Sequence, residues 1–259
     1  MSSVKVTILG SGTSHGVPMI GCDCPVCTSP DPRDKRTRSS ILIETAGQSI
    51  LVDTTPELRV QCLACNVRRV DAVLYTHAHA DHVTGMDDLR RFNHLQSGPI
   101  TCYADAHTGA ILKRMFSYAF NHDPNYVSAI PQLNLAPIDG PLELNGVRII
   151  PIRLFHGELP VLGFRVGRFA YCTDVSRIPD ESFELLRGLE VLVLDALRRR
   201  PHPTHFNLEQ AVETAGRIAA DQTYFTHIAH ELGHEATNVE LPRNMALGYD
   251  GQVIDSIGD

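Results

Sequence analysis

The chain has 259 residues, 43% of them hydrophobic, and suits one large globular domain or two small ones. No apolar run approaches the roughly 18 residues of a membrane span. A formal net charge of −7 argues against a nucleic-acid coat. It does not exclude a small anionic substrate, because a bound metal can outweigh global charge locally.

The opening "MSSVKVTILGSG" lacks the basic start and long apolar core of a signal peptide and reads as a strand entering a glycine turn. The cytoplasm is therefore the expected compartment, and there the seven cysteines are expected as thiols or metal ligands. "GCDCPVCTSP" then places Cys22, Cys24 and Cys27 within six positions. A fourth cysteine at that spacing would complete a zinc knuckle, but none follows before Cys62 and Cys65. "TSPDPRDKRTRSS", residues 28 to 40, reads as a solvated loop.

Short β-branched runs beyond this loop end on residues of metal-ligand type. "SILVDT" reaches Asp53, "VDAVLYTHAHADH" runs into His77, His79, Asp81 and His82, and "VRIIPIRLFH" ends at His156. "FAYCTD" ends at Asp174, "EVLVLDA" reaches Asp195, and "QTYFTH" ends at His227. Six strands that deliver polar residues at their C-terminal ends predict one shared site along one sheet edge. Helical patterns alternate with them. "TPELRVQCLACN" places Leu58, Cys62 and Cys65 on one face, so its C-x-x-C reads as core packing. Cys102 and Cys172 lie in strand-like runs and are expected to be buried. "DDLRRFNHL", "DAHTGAILKRMFSYAF" and "PDESFELLRGL" are further helices. "NLEQAVETAGRIAA" starts at an N-cap, Asn207, with Gln210 at the capping-box position and a stripe of Ala211, Ala215 and Ile218. The alternation predicts an α/β sandwich of two sheets with outer helices. The arginines of "RRRP" at 198 to 201 read as a solvated turn, and His15 has no assigned role beyond a loop hydrogen bond.

"THAHADH", residues 76 to 82, carries the strongest signal. Side chains two apart on an extended segment share a side, so His77 and His79 can bind one ion. Asp81 and His82 follow where the chain turns, within reach of a second. Thirteen histidines in the chain are many, and histidine is the commonest metal ligand.

This run resembles the H-x-H-x-D-H signature of the metallo-β-lactamase superfamily. The resemblance covers nearly the whole chain and implies one hydrolase domain over 1–259, folded as a four-layer αββα sandwich with two metals. It implies that His77, His79 and His156 hold the first metal and Asp81, His82 and His227 the second, with Asp174 bridging. Imidazole and carboxylate donors suit Zn2+ or Mn2+. Asp53 and Asp195, at strand ends, read as acceptors for ligand imidazoles.

"GSGTSHGVPMIGCDCPVC" and "THIAH" resemble a narrower group, the PhnP-like phosphodiesterases. That resemblance implies a structural Zn2+ on Cys22, Cys24, Cys27 and His230, with His15 and His234 as competing fourth ligands. It places His205 over the substrate, and His205 and Asp81 are the catalytic candidates. "HEAT" at 234 to 237 follows His227, whereas the similar motif of tRNase Z precedes the last metal histidine, so it is read as coincidence. The implied activity is hydrolysis of a small phosphodiester, a ribosyl or nucleoside cyclic phosphate, by a metal-activated hydroxide. Alternatives are a tRNase Z-like ribonuclease, a glyoxalase II-like thioester hydrolase and a PqqB-like protein of cofactor biosynthesis. No basic, glycine-rich arm for RNA is found, which weighs against a stable nucleic-acid complex. A homodimer without membrane contact is the implied state.

Overall fold

The structure, a computed structural model, describes residues 3–120 and 129–256. The first sheet is built from β1 (Val4–Gly10), β2 (Ser40–Thr45), β3 (Gln48–Val52), β4 (Ala72–Leu74), β5 (Ile100–Ala104) and β6 (Leu133–Pro137). The second takes β7 (Leu142–Leu144), β8 (Val147–His156), β9 (Leu159–Val166), β10 (Phe169–Cys172), β11 (Val191–Asp195), β12 (Gln222–Thr226) and β13 (Met245–Leu247). The last strand, β14 (Val253–Ser256), returns to pair with β1. The strand orders are β14-β1-β2-β3-β4-β5-β6 and β7-β8-β9-β10-β11-β12-β13.

The two sheets follow one pairing scheme. Each begins with antiparallel pairs and becomes parallel at its fourth strand, from β3 to β4 in the first and from β10 to β11 in the second. Loops leaving the C-terminal ends of parallel strands diverge where the pairing sense changes, and sites in α/β sheets gather there. Asp53 follows β3 and Asp174 follows β10, so each sheet delivers a carboxylate at its switch.

Side-chain alternation sorts the core into three layers. Ile41, Ile43, Ile50 and Val52 of the first sheet meet Phe164, Phe169, Tyr171 and Val193 of the second. The opposite face of the first sheet, with Leu42, Leu51 and Val73, packs under α1 (Leu58–Ala64), α2 (Ala80–Val83), α3 (Arg90–Gln96), α4 (Ala106–Met115) and α5 (Ser117–Phe120). The outer face of the second sheet, with Leu192 and Leu194, packs under α6 (Asp180–Leu185) and α7 (Leu208–Ile218). A short α8 (His234–Asn238) follows β12. Helices therefore flank two packed sheets, as the sequence reading expects. The capping box of α7 is formed, with Asn207 Oδ1 accepting from the Gln210 N–H at 2.9 Å. No helix among the described residues is long and apolar enough to cross a membrane.

Two local expectations need correction. Residues 28–40 are not a solvated loop. Pro32–Asp34 form a 3-10 turn, and Arg36 is buried because its guanidinium meets the Asp34 carboxylate at 2.9 Å and the Leu232 carbonyl at 2.8 Å. The helix read across 105–120 breaks at Phe116, which leaves helical geometry and separates α4 from α5. Cys62 is buried in the core and the half-buried Cys65 packs against it, as expected of the C-x-x-C, and Cys102 and Cys172 are buried.

Candidate metal centre

The H-x-H-x-D-H run begins at His77, separated from the end of β4 by Tyr75 and Thr76. Asp53 fixes its start, accepting from the Thr76 N–H at 2.9 Å and the Thr76 hydroxyl at 2.8 Å. The run then enters α2, and Thr54 N–H donates to the His82 carbonyl at 2.7 Å. Gly85 lets the next turn lie on this strand end, where any Cβ would collide with the Thr55 carbonyl. Asp53, Asp174 and His227, each within two residues of a strand's end, hold left-handed backbone with φ of 63°, 56° and 58°. Such geometry costs an L-residue roughly 1–2 kcal/mol and persists where packing imposes it, commonly at functional sites.

These turns bring together the residues that the sequence singles out. Asp81, His82, Asp174 and His227 place one ligand atom each within 4.8 Å of one another. His82 Nε2 lies 3.3 Å from Asp174 Oδ1 and 3.4 Å from Asp81 Oδ2, and His227 Nε2 lies 3.2 Å from Asp174 Oδ2. Beside them, the His79 ring centroid is 4.5 Å from that of His77 and 5.1 Å from that of His156. His77 Nε2 is 3.9 Å from Asp174 Oδ2, so the Asp174 carboxylate faces both groups. His79 is exposed and opens the site to solvent.

The donor set suits cations. The Nε2 atoms of His77, His82 and His227 are buried and have no hydrogen-bond partner among the described residues. Orphaned buried nitrogens are rare in folded proteins unless a ligand meets them. The electrostatics agree. Burial disfavours charge on His82 and His227, yet Asp174 and its neighbouring carboxylates outweigh it, raising His82 well above the usual imidazole value and His227 to about 9. Burial likewise opposes charge on Asp174, but His227 and His82 hold its carboxyl well below the ordinary range. The carboxylates thus demand positive charge at the histidines, which a divalent ion would supply in place of protons.

The opposite ring nitrogens are fixed by the protein. His82 Nδ1 donates to Asp53 Oδ2 at 2.7 Å, His156 Nδ1 to the Thr204 carbonyl at 2.7 Å, and His77 Nδ1 lies 2.9 Å from the Thr76 hydroxyl. Asp53 is thus the acceptor expected of it. Asp195 differs. It accepts from His205 Nδ1 at 2.9 Å and from the Val175 N–H at 2.9 Å, while His227 Nδ1 stays 3.9 Å away. Its imidazole partner is therefore His205, which also stands within ligand reach of His156 and Asp174. The His205 ring sits 4.4 Å from His156 and 4.6 Å from His227. Chain spacing gave no signal for that pairing, since nine residues outside any strand or helix separate the two.

A second cluster lies apart. The thiols of Cys22, Cys24 and Cys27 stand 3.2, 3.4 and 3.6 Å from His230 Nδ1. Around a tetrahedral zinc with ordinary Zn–S and Zn–N lengths, sulfur and nitrogen lie about 3.5 Å apart. The four side chains match that geometry. The Cys27 N–H directed at Cys24 Sγ lowers the Cys24 thiol to about 6, favouring the thiolate that a metal needs. His234 and His15 are not part of this cluster. The Ile228 N–H donates to the Ser11 carbonyl at 2.9 Å, so the loops carrying the two clusters are joined.

Comparison with known proteins agrees with this geometry. Residues 48–228 match the model of a beta-lactamase superfamily domain. The chain superimposes on the crystal structure of a diphosphatase from the PhnP family with a TM-score of 0.93 and 43% identity, covering 100% of both chains. It is 38% identical over 262 residues to an octanoyltransferase of Porphyromonas gingivalis, across 98% of this chain but 52% of that protein. The chain therefore spans about half the length of that relative. Coenzyme PQQ synthesis protein B of Methylobacterium sp. is 29% identical over 224 residues, covering 74% of this chain and 72% of that protein.

Proposed function

This chain belongs to the metallo-β-lactamase superfamily and is closely related to its PhnP family, and from that premise we propose that it is a metal-dependent hydrolase of small phosphodiesters. The observation that carries this reading is the convergence of unpartnered His77, His82 and His227 nitrogens on the Asp81 and Asp174 carboxylates. A ribosyl or nucleoside cyclic phosphate is the proposed substrate, and residues 1–259 the acting unit. The seven free cysteines suit a reducing compartment such as the cytoplasm.

His77, His79 and His156 would hold one Zn2+ or Mn2+ and Asp81, His82 and His227 the other, with Asp174 reaching both; Cys22, Cys24, Cys27 and His230 would hold a structural Zn2+. When bound, the pair supplies Lewis acidity toward phosphoryl oxygens and lowers the pKa of water. The chain contributes orientation. Asp53, Thr204 and Thr76 fix the ligand imidazoles, which keeps their Nε2 atoms aimed inward. Asp195 holds His205 by Nδ1, leaving Nε2 to donate a proton toward the leaving oxygen.

The test is a side-by-side assay of metal-loaded protein on bis(p-nitrophenyl) phosphate, a nucleoside 2′,3′-cyclic phosphate, a diphosphate diester, a precursor tRNA and an octanoyl thioester. Preference for a phosphodiester supports the reading. Preference for the thioester, or for the tRNA, overturns it in favour of that chemistry.

A further inference from the structure

Three consecutive arginines follow β11, and the fold gives them different surroundings. Arg199 pairs with Glu240 at 2.9 Å and Arg200 with Glu231 at 2.6 Å. Arg198 meets no carboxylate within 4.0 Å among the described residues; its Nε and Nη2 donate to the carbonyls of Arg200 and Pro201 at 3.3 and 3.2 Å. It is half-buried, unlike its two exposed neighbours. It lines a cleft of about 280 Å³ with His15, His202 and His205. The one carboxylate in that lining is Glu231, which Arg200 already engages. The cleft is thus basic on a chain whose net charge is −7.

Position gives this cleft its meaning. His205 forms its inner wall and stands between it and the ligand residues His156 and His227. A group seated in the cleft lies beyond the proton donor, on the side from which a leaving group departs. Pockets that enclose drug-sized ligands measure roughly 300–1,000 Å³, so this one has room for a small anion. Arg198 Nη1 takes part in neither carbonyl contact and keeps its N–H groups for a carboxylate or phosphate.

We propose that Arg198, with His15 and His202, forms an anion subsite for a second negatively charged group, a carboxylate or phosphate, on the leaving portion of the substrate. The inference rests on the phosphodiesterase reading. It explains why Arg198 is left without a carboxylate while Arg199 and Arg200 each pair with one.

Matched methyl aryl phosphates test it, with 4-nitrophenol, 3-carboxy-4-nitrophenol or 3-phosphonomethyl-4-nitrophenol as the leaving group. The metal-loaded wild-type chain should prefer an anionic leaving group by roughly 10- to 100-fold in kcat/KM, the span of one charge-assisted contact. The preferred anion identifies the ligand chemistry. Arg198→Gln should reduce that preference to under threefold with metal content unchanged, while Arg199→Gln retains it. A wild-type preference under threefold, or one equal in Arg198→Gln, overturns the subsite. Calorimetric titration with the matching methyl arylmethyl phosphonates reads the same preference without turnover. Absent hydrolysis with the binding preference intact removes the phosphodiesterase reading and leaves the subsite standing. Absent preference in binding removes the subsite.

Discussion

His82 Nδ1 donates to Asp53 Oδ2 at 2.7 Å, and neither side chain exposes any surface. The bond sets which nitrogen of His82 faces Asp81 and Asp174. Asp53→Asn keeps the left-handed backbone that asparagine tolerates but weakens the acceptor. It should lower metal affinity by roughly 10–100-fold, as loss of such an outer partner typically does. Metal titration followed by competition with a chelator measures this, and wild-type affinity would assign Asp53 to backbone capping alone.

Two ligand sets that share no residue predict three ions per folded chain. Elemental analysis of protein saturated with Zn2+ should approach three, falling to two in Cys24→Ser. Saturation at two, unchanged in Cys24→Ser, would remove the structural site.

The sets should also fail differently. Asp174→Asn or His82→Ala should abolish phosphodiester turnover while the thermal melt of the apoprotein stays close to wild type. Cys22→Ser should lower the melt of the metal-loaded protein, because binding at a closed site is coupled to folding. Should Cys22→Ser melt like wild type and lose only activity, the cluster would belong to the reaction centre.

His205 is held by Asp195 at 2.9 Å and stands within ligand reach of His156 and Asp174, and the proposed scheme gives it the proton-donor role in place of a ligand's. A general acid contributes about 10²–10⁴-fold, so His205→Ala should lower kcat by that order with metal content unchanged. Alkyl phosphodiesters, whose leaving oxygen needs a proton, should lose more than a p-nitrophenyl ester. Equal losses on both would make His205 a phosphate-binding residue.

Arg36 ties Asp34 to the carbonyls of Ala229 and Leu232, in the loop that carries His230. Arg36→Ala leaves a buried carboxylate without its cation and should cost roughly 3–5 kcal/mol. Urea denaturation with metals supplied measures it; a change under about 1 kcal/mol would mean that water replaces the guanidinium.

The residues of the centre were legible in the sequence, because each follows a short β-branched run and because H-x-H-x-D-H and C-x-C-x2-C concentrate donors beyond what a structural role needs. Strand ends, the α7 capping box and the two-sheet layering follow from periodicities of 2 and 3.6 that any local reading detects. Pairings across loops were not legible. Which histidine Asp195 serves, where the 28–40 segment buries Arg36, and which of three adjacent arginines stays without a carboxylate depend on partners 10 to 200 positions away in the chain. A side chain's local sequence fixes its chemistry and its place on a strand or helix. Its charge partner is chosen only when the two sheets pack, because desolvation and hydrogen bonding act on whatever the fold brings within about 3 Å.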